Sequence, residues 1–185
     1  MMNHMKSFLT KIEGTKWRIY AGFALLLVCL GINIFILIEG HMDAETSAQQ
    51  SNTVAEVVAT TVNAVAPETI DPTNETYQLV IRKVVGHAML FMFAGSTGYL
   101  GFYWIFKARR HIFIPFVLIT IFQSFIAFLS EFIQSFASAR SGNLHDVLID
   151  MAGAMTGIIL TLIVVAIVSA IVHNPRRKQL EEATV

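Results

Sequence analysis

The chain has 185 residues, of which 55% are hydrophobic and only 14% are charged. Because soluble domains carry about 25% charged residues, this composition argues against an ordinary soluble protein. Thirteen basic and thirteen acidic side chains give a formal net charge of zero, which provides no overall positive field for nucleic acid. The length fits a single domain, residues 1–185.

Four apolar segments dominate the chain. A helix needs about 20 mostly apolar residues to cross roughly 30 Å of hydrocarbon, and four runs have that length. Because unpaired backbone groups are costly in lipid, each run is predicted to be helical. We therefore predict an all-α fold, a four-helix transmembrane bundle, with helices at about residues 17–38, 84–106, 112–132 and 147–172.

The basic residues predict the orientation of these helices, because cytoplasmic loops carry an excess of lysine and arginine. Ten of the thirteen lie before the first span, between the second and third, or after the fourth. The other side holds only Arg82, Lys83 and Arg140. Both termini are therefore predicted to be cytoplasmic, and residues 39–82 are predicted to form an extracytoplasmic loop.

The loop contains a run of valines at helical spacing. A short amphipathic helix on the outer membrane surface would place them on one face. A partly ordered connector is the alternative, since β-branched residues are weaker helix formers. The valines are Val54, Val57, Val58, Val62 and Val65.

Polar residues cluster at the outer ends of the second and third spans. Lys83 and His87 are four residues apart, so they share one face of the second helix. Glu131 and Gln134 are three apart at the end of the third helix and also share a face. Arg140 follows in the next turn. These residues are predicted to meet at one membrane boundary.

The fourth span begins with a stripe of acids followed by glycines. Asp146, Asp150, Gly153 and Gly157 are separated by four, three and four residues. Ionisable side chains at membrane depth cost about 2.5 to 3.5 kcal/mol each, so they usually face a protein interior or a wet cavity. Arg140 is predicted to pair with one of the acids. Gly153 and Gly157 are predicted to support close helix packing.

Two interpretations of this polar cluster remain open: a ligand-binding site, or a structural network that holds the helix ends together. His87, Glu131 and Asp150 are residue types that bind metals, but no HExxH-like spacing accompanies them. We therefore predict no metal and no cofactor. Neither a GxSxG motif nor a P-loop is present, so no catalytic residue is assigned.

Taken together, these spacings resemble the VanZ-like family of bacterial membrane proteins. The likeness covers roughly residues 82–172. Asp150 stands where the family pattern usually has asparagine, and Phe91 where it often has tyrosine. The resemblance implies a multi-pass protein of the bacterial cytoplasmic membrane, with a role in the cell envelope. It also implies reduced susceptibility to glycopeptide antibiotics such as teicoplanin.

Three functions fit this pattern. The first is a non-enzymatic protein whose outer-face cluster binds an amphiphile or a lipid-linked wall intermediate, with Arg140 and either His87 or Lys83 holding its phosphate. The second is an intramembrane hydrolase or transferase acting on a lipid-linked phosphate, with His87 as general base. The third, a small transporter or channel, would need a homo-oligomer, because four helices are few for one pathway. The expected partners are membrane lipids, a lipid-linked envelope intermediate or a glycopeptide, and not nucleic acid.

Overall fold

Helices make up most of the structure. The computed structural model describes residues 2–67, 69–106, 112–137 and 142–172, with side chains within residues 16–171. Over these ranges the chain forms five helices and no strand. Four of the helices are long and apolar enough to cross a membrane. The predicted all-α fold with four transmembrane spans is therefore confirmed.

The helices follow one another with short connections. Helix α1 covers Met2–His41, α2 Ala44–Val65, α3 Glu75–Phe106, α4 Phe113–Gln134 and α5 Leu144–Val172. The stretches that can span a membrane are Lys16–His41 in α1, the whole of α3 and α4, and Leu144–Ile171 in α5. Helix α3 begins before the apolar run does, because Asn74 caps its first turn by accepting a hydrogen bond from the Tyr77 backbone N–H.

The segment between the first two spans folds into a helix and a capped turn. Asp43 begins α2 by accepting a hydrogen bond of 2.8 Å from the Thr46 backbone N–H, and this bond holds the pKa of Asp43 below its usual value. At the other end of α2, Asn63 donates to the Ile70 carbonyl at 2.8 Å. The Tyr77 hydroxyl donates to the Ala55 carbonyl at 2.9 Å, which fastens α2 to the start of α3.

Helix α3 lies at the centre of the bundle and contacts all four other helices. One apolar cluster, in the half of the bundle where α5 begins, contains Ile36, Phe91, Ile126 and Val147. A second cluster deeper in the bundle contains Cys29, Tyr99, Ile119 and Ile158. Because lipid is as apolar as these side chains, close van der Waals packing rather than exclusion from water stabilises the contacts within the membrane.

Glycines allow α3 and α5 to approach each other closely. A Cβ atom added to Gly153 would clash with the Ala88 backbone carbonyl, and one added to Gly157 would clash with the Met92 carbonyl. On the opposite helix, a Cβ on Gly95 would meet the Ala154 carbonyl. The stripe of small residues on α5 thus lies directly against the backbone of α3.

We expect Gly157→Ala to destabilise the protein by about 1 to 3 kcal/mol, because the added methyl must push the α3 backbone away. The measurement is the unfolding free energy of the purified protein in detergent. Gly31→Ala is the matched control, since a Cβ there meets nothing within 4 Å. Equal unfolding free energies for the two variants would contradict the close helix contact.

Candidate functional site

The candidate site is built on an irregular part of α3. Residues Arg82–Met89 form a π-helix, which we call the π segment. Its backbone hydrogen bonds join residues five apart instead of four, so each turn holds more residues than an α-helical turn. Such wide turns are rare and occur frequently at functional sites. Here the π segment presents different side chains to α5 on one side and to a cavity on the other.

The outermost contact of the site is an ion pair between α3 and α5. The Lys83 ammonium donates a hydrogen bond to Asp146 Oδ1, and both side chains are partly exposed. Asp146 lies in the first turn of α5, where a negative charge also interacts favourably with the helix dipole. The structure therefore brings together two of the residues singled out from the sequence.

A second acid–base pair lies one turn deeper. His87 Nδ1 is 3.0 Å from Asp150 Oδ1, and Asp150 is fully buried. Lys83 and His87 are four positions apart on α3, and Asp146 and Asp150 are four positions apart on α5. The second contact therefore repeats the first one helical turn further along both helices. The close approach of Gly153 to Ala88 follows directly after these residues and keeps the helices near enough for both pairs.

Glu131, at the end of α4, is the third acid of the cluster. It is 95% buried, and its Oε2 accepts a hydrogen bond of 2.8 Å from the Asn143 backbone N–H. Glu131 thereby ties the end of α4 to the segment that leads into α5. Its Oε1 and the Asp150 Oδ2 are buried and have no hydrogen-bond partner in the described part of the chain.

Three of these side chains converge on one point. One nitrogen of His87 and one oxygen each of Glu131 and Asp150 all lie within 4.8 Å of one another. Gln134 is buried close by and lines the neighbouring cavity. Arg140 lies outside the described residues, so its pairing with an acid stays a prediction.

A cavity of about 370 Å³ adjoins the cluster. It lies between the end of α1, helix α2, the π segment and the end of α4. His87 connects it to the cluster, because its imidazole lines the cavity while it contacts Asp150. The other polar lining includes Glu39, Gln50, Arg82, Ser130 and Gln134, and the apolar lining includes Phe35, Ile36, Leu90 and Phe91.

Sequence reasoning did not identify Arg82, Glu39 or Gln50 as site residues. The sequence indicates Arg82 only as a basic residue on the outer side. In an ideal α-helix it would lie well away from the face of His87, five positions later. The π segment changes that relation, and both side chains line the cavity. Glu39 and Gln50 join it because α2 folds back beside the end of α1, which no local sequence pattern reveals.

Comparison with known proteins identifies the relationship of this chain. The family model for VanZ/LLP1 matches residues 23–165, about three quarters of the chain, including all the described residues of the cluster and all of the cavity lining. No curated protein and no solved structure matches the chain. The match begins well before residue 82, where the resemblance begins, and it includes most of the membrane-spanning part of α1. The chain therefore belongs to the VanZ/LLP1 family of proteins.

Proposed function

We propose that this VanZ/LLP1 family membrane protein binds an amphiphile, such as a lipid-linked intermediate of the cell wall, at the outer face of the bacterial cytoplasmic membrane. The observation that supports the proposal is the cavity beside the π segment, which combines apolar walls with charged and amide side chains. Its volume of about 370 Å³ lies within the range of small-molecule sites, roughly 300 to 1,000 Å³.

Arg82 is the side chain best suited to hold an anionic head group. It is exposed at the cavity, and no hydrogen bond or ion pair joins its guanidinium to the described side chains. A guanidinium group donates two parallel hydrogen bonds to a phosphate, which makes arginine well suited to this role. Phe35, Leu90 and Phe91 would then contact the beginning of the lipid chain.

Lys83 takes a supporting role in this proposal. The sequence suggested it as a phosphate ligand, but its ammonium is paired with Asp146. Together with the His87–Asp150 pair, this ion pair holds the π segment against α5. The cluster thus acts as a structural network that forms one wall of the cavity, while Arg82 and His87 face the ligand.

An outward-facing cavity suits lipid-tailed glycopeptides as well as wall intermediates. Both kinds of molecule present an apolar chain to the membrane and a large polar part to its outer surface. We therefore extend the proposal to antibiotic response: cells that make this protein should be less susceptible to teicoplanin than cells that make the Arg82→Gln variant. Equal susceptibility would remove this extension without affecting the binding proposal.

We expect Arg82→Gln to weaken binding of a polyprenyl pyrophosphate by about tenfold to a hundredfold. The physical reason is the loss of charge-assisted hydrogen bonds, worth about 1.5 to 3 kcal/mol. Binding is measured on the purified protein in detergent, with Lys16→Gln as the matched control because Lys16 is an exposed base at the far end of the α1 span. If both variants bind as tightly as the wild type, Arg82 does not hold the head group.

The orientation is a separate part of the proposal and has its own test. An impermeant maleimide applied to intact cells is expected to label Thr53→Cys on α2 and to leave Lys16→Cys unlabelled until the membrane is opened. The single natural cysteine, Cys29, is buried and should remain unlabelled in both variants. Labelling of Lys16→Cys alone in intact cells would reverse the orientation and place the cavity in the cytoplasm.

An intramembrane hydrolase or transferase is the second candidate function. It is favoured by one observation: His87 lines the cavity and contacts the buried Asp150, the arrangement of a general base with a carboxylate that orients it. The binding assay distinguishes the two functions when a soluble alcohol is added as acceptor. A hydrolase would then release inorganic phosphate from the polyprenyl pyrophosphate with water, and a transferase would move a group of the probe to the alcohol. Recovery of intact probe after prolonged incubation supports binding alone.

A further inference from the structure

Two buried carboxylates lie beside a histidine at the centre of the cluster, and each has one oxygen without a hydrogen-bond partner in the described part of the chain. Glu131 is 95% buried and Asp150 is fully buried, yet Glu131 Oε1 and Asp150 Oδ2 have no hydrogen-bond partner among the described residues. Buried polar atoms are nearly always hydrogen bonded, and an unpaired one requires an explanation. The same two carboxylates and His87 bring their ligand atoms within 4.8 Å of one another.

In the described part of the chain, Lys83 pairs with Asp146, and the imidazole of His87 is the basic group beside Glu131 and Asp150. Arg140, which is predicted to pair with one of the acids, lies outside the described residues. Two ionised carboxylates and a neutral histidine carry a charge of −2, which a single divalent cation would neutralise. Burying such charges without compensation is costly, so a cation at this point would offset the desolvation of both acids.

The ligand types indicate which cations fit. An imidazole nitrogen with two carboxylate oxygens suits zinc, manganese or iron, whereas calcium and magnesium prefer oxygen ligands alone. Ligand atoms lie about 2 Å from a zinc ion, so three atoms within 4.8 Å of one another need only small side-chain adjustments to share one. Three protein ligands leave a further coordination position open.

The surroundings hold these ligands in place and give access to them. The three side chains come from three different helices, and the glycine contacts and the Lys83–Asp146 ion pair hold two of these, α3 and α5, together. The Asn143 backbone N–H fixes one oxygen of Glu131 at 2.8 Å, as a supporting hydrogen bond does for a metal-bound carboxylate. His87 also lines the cavity, so an ion can reach the cluster from the cavity side.

From these observations we propose that His87, Glu131 and Asp150 form a binding site for a divalent transition-metal cation, with zinc as the probe. The proposal goes beyond amphiphile binding and departs from the sequence-based expectation of no metal. That expectation relied on the absence of a short ligand motif. Here each ligand comes from a different helix, so no such motif would exist.

The test uses the full-length protein in detergent, stripped with EDTA and dialysed against Zn²⁺ without any amphiphile. We expect about one zinc per chain by elemental analysis and no comparable retention of Ca²⁺. His87→Gln and Glu131→Gln are each expected to weaken zinc binding by about tenfold or more. The matched controls His145→Gln and Glu56→Gln alter exposed residues outside the cluster and should bind zinc like the wild type.

Each outcome of this experiment bears on the proposal. If the stripped wild type retains no zinc, the two carboxylates are balanced in another way, such as by a proton or by Arg140, and the proposal fails whatever the variants do. If zinc binds but His87→Gln and Glu131→Gln bind it as tightly as the controls do, the ion is at another position and the proposal also fails. Because no amphiphile is present, either result leaves the Arg82 binding test unaffected.

Discussion

Two acid–base pairs between α3 and α5 determine the arrangement of the half of the bundle that contains the π segment. Lys83 contacts Asp146, and His87 contacts Asp150 one turn deeper. These pairs, with the glycine contacts that follow them, hold the π segment against α5. The opposite side of the π segment is then free to face α1 and α2, and the space between them is the cavity. If the π segment were not docked on α5, that wall of the cavity would be lost.

The position of the cluster along the bundle has a physical reason. Charged groups at the centre of a bilayer are costly, whereas groups near its boundary can reach water with part of the side chain. Lys83 and Asp146 keep partial exposure, while Asp150 and Glu131 lie deeper and are buried. The deeper acids are therefore the costly members of the cluster. They also adjoin the cavity through His87, which is why the proposed ligand and metal sites lie side by side.

Much of this architecture was accessible from the sequence. Hydropathy alone identified four spans, and the equal spacing of Lys83–His87 and Asp146–Asp150 placed each pair on one helix face. The partner of each residue was not accessible, because pairing depends on how two helices are rotated against each other. The π segment was also hidden: no local pattern requires a wide turn there, and it brings Arg82 to the cavity beside His87. The structure places Glu131 beside His87 and Asp150, whereas its contact with the Asn143 backbone depends on the path of the connection, which the sequence does not reveal.

The docking of the π segment on α5 is the claim on which the cavity and both proposed sites depend. Cross-linking with a short bis-maleimide in native membranes tests it directly, with Lys83→Cys combined either with Asp146→Cys or with Leu148→Cys. Leu148 lies on the same helix but is exposed on its outer surface. We expect the 83–146 pair to form an intramolecular cross-link and the 83–148 pair to form little or none. Equal cross-linking of the two pairs, or none in either, would contradict this arrangement of α3 and α5.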